Sequence, residues 1–248
     1  MIAVENPVPC GACPLNACPG LRQHDPAVVP WIQTFKTGEI QIDRGEILSE
    51  QGSSGRGLYT VLEGILIRYL SLEDGRRQIV NFMFPGDLIG LQGTFEEAAS
   101  HSVEALLPSR LCTFETTRFY DLIVEQPRLG YDITWLAAKE ESALEAHLSA
   151  LGQRTAKERV TYLAVWLLRR AIATCTTDGE NRLAVAITQA QIADMLGLSL
   201  VHTNRTVKAL ARDGLVFWRP NGIEIPDLEA AAEFTQIGNA VDRLRPFM

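Results

Sequence analysis

The chain changes pattern near residue 125, and that change limits the folds open to it. Between residues 34 and 120, glycine breaks up short apolar runs at Gly38, Gly45, Gly52, Gly55, Gly57, Gly64, Gly75, Gly86, Gly90 and Gly93. Residues 58–62, 65–69 and 78–82 are rich in β-branched and aromatic side chains and read as strands. Glu63-Gly64 and Asp74-Gly75 mark turns between them. Short strands at this spacing predict an antiparallel roll or barrel. From residue 127 to 151 glycine nearly disappears, and Ile133, Leu136, Ala137, Leu144, Leu148 and Leu151 recur at helical spacing. An antiparallel β domain therefore leads into a long helix, an α+β arrangement.

One apolar stripe on such a helix has two uses. It packs on its own domain, or it forms a coiled-coil-like seam with a second copy. Its place between a β domain and a basic helical segment favours the seam, with Ile133, Ala137, Leu144, Leu148 and Leu151 facing the partner. Glu140 and Glu141 lie near that stripe, so the seam is not purely apolar. A second helix is predicted over 156–173, followed by a polar loop at 176–181. Two strands, 215–218 and 222–225, flank Arg219-Pro220-Asn221 and form a wing.

Between loop and wing lies the most specific motif. Thr188-Gln189-Ala190-Gln191 has the form of a capping box. The helix it opens carries Ile192, Ala193 and Leu196 inward, Gly197 permits a sharp turn, and Ser199 caps a second helix with Thr203, Thr206, Val207 and Leu210 inward. That is a helix-turn-helix, whose second helix suits the major groove of DNA. Val201, His202, Asn204, Arg205 and Lys208 are the candidates on its outer face. Arginine offers paired donors to a guanine edge, and asparagine or histidine reaches base edges or phosphate. Thr188 and Ser199 sit at helix starts, where hydroxyl and backbone N–H groups suit phosphate oxygens.

The net charge of −7 argues, taken globally, against nucleic acid. Its distribution reverses the argument: residues 153–221 hold ten Lys/Arg against five Asp/Glu, so that segment is +5 and the remainder −12. A basic module on an acidic body is compatible with DNA binding, which depends on local phosphate contacts.

Cysteine usage points to a sensor. Cys10, Cys13 and Cys18 form a C-x2-C-x4-C run, with Pro14 and Pro19 stiffening the chain after two of them and Gly11 and Gly20 letting it wrap a ligand. Three thiolates need a fourth ligand to complete an iron–sulfur cluster or a tetrahedral zinc, and Cys112 is the candidate. A thiol/disulfide switch uses the same residues without any metal. Cys175 reads as a plain helix-end thiol with no partner. Five cysteines in a chain without a basic, apolar leader argue for metal or redox use rather than a disulfide scaffold. No apolar stretch is long enough to span a bilayer, so a cytoplasmic protein without membrane partners is expected. A phosphate-cradling glycine loop, a Gly-x-Ser-x-Gly elbow and a His-Glu-x-x-His site are all missing, which argues against an enzyme.

The stretches Gly57-Leu58-Tyr59-Thr60-Val61-Leu62-Glu63-Gly64, Phe84-Pro85-Gly86-Asp87-Leu88-Ile89-Gly90 and Ile192-Ala193-Asp194-Met195-Leu196-Gly197-Leu198-Ser199 resemble the Crp-Fnr family of bacterial transcription regulators. The resemblance covers nearly the whole chain. It implies a sensing β-roll of the cupin-like, cyclic-nucleotide-binding type, a dimerisation helix and a winged helix-turn-helix, acting as a homodimer on a palindromic operator, with RNA polymerase a further partner. The corresponding division is 1–30 for the cysteine-rich segment, 31–126 for the roll, 127–153 for the dimerisation helix, 154–228 for the DNA-binding domain and 229–248 for a tail. In nucleotide-binding members a glutamate and an arginine hold the ribose and the cyclic phosphate. Leu91 and His101 stand at those positions here, so cyclic nucleotide is not the expected signal.

Cys10, Cys13, Cys18 and Cys112 match the oxygen-sensing Fnr branch, which implies a [4Fe-4S] cluster as cofactor. The third spacing is one residue shorter than in the best-known Fnr pattern. Where many Fnr-like regulators carry Glu-x-x-Ser-Arg, this chain has Val201-His202-Thr203-Asn204-Arg205. Valine accepts no hydrogen bond from cytosine, so a different half-site is expected.

Overall fold

The computed structural model describes residues 1–54, 57–95, 98–179, 181–238 and 243–248. Gly55 and Glu180 of the polar loop lie outside the described residues, as do residues 239–242 of the tail. Strand β1 (Ile2–Ala3) and two short 3₁₀ turns, Cys10–Ala12 and Pro14–Ala17, lead to helix α1 (Val29–Phe35). The roll follows as β2 (Lys36–Ile42), β3 (Ile47–Ser49), β4 (Leu58–Glu63), β5 (Leu66–Ser71), β6 (Arg77–Met83), β7 (Leu88–Ile89), β8 (Ser102–Ala105) and β9 (Ser109–Phe114). Next come α2 (Phe119–Glu125), α3 (Pro127–Gln153) and α4 (Ala156–Ala173). The C-terminal module adds β10 (Arg182–Leu183), α5 (Gln189–Leu196), α6 (Leu200–Arg212), β11 (Phe217–Arg219), β12 (Gly222–Glu224) and α7 (Leu228–Phe234).

Two antiparallel sheets, β1-β2-β9-β4-β7 and β3-β8-β5-β6, make the roll. The two sequence turns act differently. Asp74-Gly75 closes the β5–β6 hairpin, with Gly75 at φ 82°. Glu63-Gly64 instead turns a corner, because β4 and β5 belong to different sheets. Gly64 has φ 91°, and a Cβ there would collide with Ser109 and the Pro108 carbonyl, so only glycine fits.

Helix α4 starts at a full capping box, in which Thr155 and Glu158 bond each other's backbone N–H. It is buried on nearly all sides because it lies between roll and C-terminal module. Trp166 packs its ring 6.5 Å from Phe82 and 6.1 Å from Phe84 of the roll. From there one continuous core runs through Leu163 and Leu167 to Ile192, Leu196 and Leu210, and on to Ile223 and Ala231. Helix α7 belongs to that core through Ala231 and Ala232, so the sequence boundary at 228 falls short of the module's end. Its small side chains carry too weak a stripe to be legible.

The long helix divides its apolar residues among three neighbours. Leu129 and Ile133 are buried in the protomer's own cysteine-side core, because the first turns of α3 pack there. Leu151 packs on the C-terminal core and touches the Gly197 turn. Ala137 and Leu148 are exposed and Leu144 is half-buried, so only these three of the five seam candidates face outward. Glu140 turns away from that face, accepting from Arg68 and Asn81 of the roll. A cavity of about 420 Å³ opens between the roll and this part of α3.

His147 is 4% exposed and meets Tyr162 and Trp166 edge-to-face, with ring centres 5.7 and 5.0 Å away. Its Nδ1 lies 2.9 Å from the Tyr162 hydroxyl, which donates to it in the neutral ring. Burial, and then the Arg68 charge, lower its pKa from 6.5 to about 4. The folded state thus resists a proton that the unfolded chain accepts, so stability is full above pH 6.5 and is lost as pH falls toward 4. Between pH 7 and pH 5 this group should cost about 2 kcal/mol. Urea midpoints at both pH values should drop for the parent and drop less for His147→Gln; equal drops would assign the acid sensitivity elsewhere.

Candidate functional site: a helix-turn-helix and a cysteine pocket

Both caps of the helix-turn-helix form as their residue types dictate. The Thr188 hydroxyl accepts from the Gln191 N–H while the Gln191 side chain accepts from the Thr188 N–H. Gly197 ends α5 in the left-handed region at φ 61°, and Ser199 Oγ accepts from the His202 N–H at 3.2 Å. Inside, Ile192, Leu196, Thr203, Val207 and Leu210 are buried as their spacing requires.

The outer face of α6 is basic and open. Val201, Arg205 and Lys208 are exposed at i, i+4 and i+7, and Arg212 extends the line by one turn. Among the described residues, Arg205, Lys208 and Arg212 have no carboxylate partner. Arg212, with exposed Leu200, is absent from the sequence candidates; the same four-residue step finds it. His202 is exposed beside this line. Asn204 is half-buried, and its amide donates to Gln189 Oε1 at 2.9 Å, so it also ties the two helices together. Trp218 of the wing donates to the Ile187 carbonyl at 3.1 Å, holding β11 against the motif.

Three of the cysteines meet against the roll. β9 pairs with β2 so that Cys112 lies opposite Glu39. The loop of 3₁₀ turns brings Cys10 and Cys13 over the same spot, and all three border a cavity of about 10 Å³. Its other walls include Val8, His24, Lys36, Glu39, Leu62, Phe114 and Met248. Lys36 Nζ donates to the Val8 carbonyl at 2.7 Å and to Glu39, and reaches the Cys112 sulfur. Arg110 also donates to Glu39, which is 2% exposed. A buried Lys–Glu–Arg array thus backs the thiols. Burial pulls the Lys36 ammonium down, but Glu39 and the thiols more than offset this, so its pKa is raised.

Burial raises the Cys10 and Cys13 thiols and pushes Cys112 up to about 12 despite the Lys36 charge beside it. These thiols are therefore protonated in this conformation, and binding a metal would release protons. Cys18 is buried in the same cluster of side chains but is not a wall of the cavity. Its thiol meets that of Cys175, and burial with this neighbour pushes it to about 12. Cys175, unpartnered on the sequence reading, therefore has a thiol beside it. Among the described residues no three or more His, Cys, Asp or Glu side chains converge as metal ligands do. The donor chemistry suits a thiolate-held group, while the small cavity and the direction of Cys18 require the loop to open before one enters.

The C-terminal residues reach this site, which nothing in the sequence indicated. The Arg245 N–H donates to the Gly20 carbonyl at 2.9 Å, and the Arg22 N–H donates to the Arg245 carbonyl at 2.8 Å. Phe247 lies 4.2 Å from the His24 ring, and Met248 is 6% exposed against the cysteine cavity. Asp87 secures the arrangement by accepting from both Arg170 and Arg245, each at 2.7 Å. Burial alone would raise its carboxyl, but the two guanidinium groups hold it below the usual carboxylate range.

A second cavity, about 460 Å³, opens in the roll beside Gly90, Gln92, Ser100 and His101. Burial and the Arg68 charge lower His101 to about 4. Among the described residues lining this cavity there is no lysine or arginine, and Glu50 faces it.

A β-roll joined through a long helix to a winged helix-turn-helix defines a DNA-binding transcription regulator. Residues 39–126 match the cyclic nucleotide-binding domain model and residues 162–233 the Crp-like helix-turn-helix domain. The chain is 31% identical over 188 residues to the nitrogen fixation regulation protein FixK of Bradyrhizobium diazoefficiens, covering 76% of this chain and 78% of that one. It is 26% identical to the transcriptional activator protein FnrL of Cereibacter sphaeroides over 84% and 83% of the two chains. The solved structure of FixK2 from Bradyrhizobium japonicum superposes with a TM-score of 0.70 at 23% identity, covering 79% of this chain and 96% of that one. The chain belongs to the Crp-Fnr family of transcription regulators.

Proposed function

We propose that this regulator binds its operator as a homodimer under the control of an oxygen- or redox-labile iron–sulfur cluster, of [4Fe-4S] type, held by Cys10, Cys13, Cys18 and Cys112. The observation that carries the reading is the meeting of Cys112, from the last strand of the roll, with Cys10 and Cys13 around one cavity. The Lys36–Glu39–Arg110 array beside them carries one net positive charge, which partly offsets the negative charge of a cluster bound by thiolates. When bound, the cluster supplies the chemistry of oxidant detection. The chain's own part is to present thiolates, exclude water with Phe114, Leu62 and Met248, and couple loop position to the DNA-binding module through Arg245 and Asp87. Among the described residues, the cavity beside Gly90 and Ser100 has no guanidinium in its walls, and the neighbouring cavity that also borders His101 has Arg68 paired with Glu140; this favours the cluster over a cyclic nucleotide as the signal. A cluster-free thiol switch is the second reading, favoured by Cys18 turning to Cys175.

Cys112→Ser should stay folded and lose the cluster, because three loop thiolates leave the site one ligand short. Iron and sulfide analysis with a visible spectrum, on anaerobically purified protein, measures this. Comparable iron and sulfide in the variant would remove Cys112 from the ligand set.

Dimerisation runs through the outward face of α3, where Leu148 is 70% exposed beside Ala137 and half-buried Leu144. Leu148→Glu would set two carboxylates against each other across a two-fold seam, near Glu141 and Glu145. Sedimentation at matched concentration should show more monomer; an unchanged dimer would move the interface to another surface.

On DNA, Arg205 reads a base edge and Lys208 contacts phosphate, with Val201 and His202 beside them, Thr188 and Ser199 at the backbone, and Asn204 bracing the motif. Arg205→Ala should cost about 1–3 kcal/mol per half-site and relax preference at one operator position. Lys208→Ala should weaken specific and random DNA alike and flatten the salt dependence by roughly one unit of slope for each phosphate left unneutralised. Binding to a selected operator and to random DNA at several salt concentrations separates the two. Equal losses on both DNAs for Arg205→Ala would contradict base reading. Contact with RNA polymerase and a cytoplasmic location complete the proposal; among the described residues no helix is long and apolar enough to cross a membrane.

A further inference from the structure

The loop carrying the third cysteine lies directly on the last turn of α4. The Gly20 N–H donates to the Ala173 carbonyl at 2.9 Å, and a Cβ on Gly20 would collide with Ala173, so the two backbones touch. Cys18 precedes Gly20 by two residues and Cys175 follows Ala173 by two. That single backbone contact therefore brings the two cysteine-bearing stretches together. The thiols of Cys18 and Cys175 do meet.

Cys175 is also an unusual choice for its position. Helix α4 ends with the Thr176 N–H donating to the Ala171 carbonyl at 2.9 Å, and Cys175 adopts φ 57°. That left-handed site just past a helix end favours glycine, and a side chain there carries a conformational cost. Cys175 is exposed, whereas Cys18 is buried.

We infer that Cys18 and Cys175 form a reversible disulfide that staples the N-terminal loop to the first helix of the DNA-binding module. A peroxide is the oxidant. It reaches the exposed Cys175 first, converting its thiol to a sulfenic acid with release of one water. The Cys18 sulfur then attacks the Cys175 sulfur, forming the S–S bond and releasing the sulfenic oxygen as a second water. Two thiols lose two electrons in total and the peroxide gains them. A small-molecule dithiol reverses the bond by exchange. The disulfide stands apart from any cluster, but its consequence rests on the reading above: a Cys18 bonded to Cys175 cannot ligate iron. Cluster and disulfide then exclude each other, and oxidation of the cluster-free protein blocks reloading until the bond is reduced.

The test uses the full-length chain, stripped of metal by a chelator, treated with hydrogen peroxide, alkylated, digested with trypsin and mapped by mass spectrometry. The expected product links peptide 1–22 to peptide 171–182. It should be lost with Cys18→Ser and with Cys175→Ser, kept with Cys13→Ser, and removed by dithiothreitol. A link that survives Cys18→Ser, or Cys175 overoxidised with no link formed, would overturn the inference. A second arm supplies iron and sulfide anaerobically after peroxide treatment. The parent should reload only after reduction, while Cys175→Ser, with an unchanged initial iron content, should reload directly. Equal reloading of unreduced parent and variant would overturn the exclusion. If no protein takes up iron at any stage, the cluster reading fails while the peptide map still decides the disulfide.

Discussion

The Asp87 carboxylate joins three parts of the chain that are far apart in sequence. It lies at the Phe84-Pro85-Gly86-Asp87 turn of the roll, where its own side chain accepts from the Phe84 N–H at 2.8 Å and Gly86 takes φ 87°. From there it receives Arg170 of α4 and Arg245 of the C-terminal segment. Asp87 is 3% exposed, so its charge is tolerable only because two guanidinium groups and a backbone N–H surround it. The same low exposure makes the clasp specific: a neutral or shifted group would take the shared carboxylate away from both Arg170 and Arg245. The roll, the DNA-binding module and the cysteine loop therefore share one electrostatic joint.

Apolar packing then fixes what the clasp orients. Trp166 sits beside Arg170, one turn away on α4, and its ring fills the space between Phe82, Phe84 and His147. The Arg170 guanidinium lies 5.6 Å from the Phe84 ring centre, so the cation and the apolar contact occupy one surface. Burying the middle of α4 on both sides explains why residues 160–168 carry no charge on any face.

Local signals were legible in the sequence and long-range ones were not. The Thr188–Gln191 box, the Ser199 cap and the Gly197 turn depend on residues within four positions, and each forms as its chemistry requires. The strand segments and α4 were legible for the same reason. Glu63-Gly64 was recognisable as a turn but not as a corner between sheets, because pairing partners lie outside any short window. The stripe on α3 was visible, yet periodicity alone does not say which neighbour each leucine meets, and Ile133 and Leu151 are used inside the protomer. Lys36, Glu39 and Arg110 behind the cysteines, and Met248 over them, come from distant segments. Cys175 reads as solitary in the sequence because its partner is 157 positions away along the chain.

The contacts between roll and DNA-binding module differ sharply in strength, and this gives the junction a direction of yielding. α4 is held by a buried aromatic cluster and by the Asp87 clasp. α5 shares the apolar core through Ile192, Met195 and Leu196, and at its rim it meets the β5–β6 hairpin through polar contacts: Arg77 to Asp194 at 2.8 Å and the Gln78 amide to the Met195 carbonyl at 3.1 Å. Arg77 and Asp194 side chains are 30% and 28% exposed, so this pair contributes about 1 kcal/mol or less. Breaking it costs far less than pulling Trp166 from its pocket, which would open apolar surface worth several times as much, about 3–5 kcal/mol for truncating a large aromatic. Any signal that moves the cysteine loop therefore reaches α4 first, through Gly20 against Ala173 and Arg245 against Asp87. The exposed polar contacts at the α5 rim are the weaker ones, and α5 in turn packs against the helix that carries Arg205.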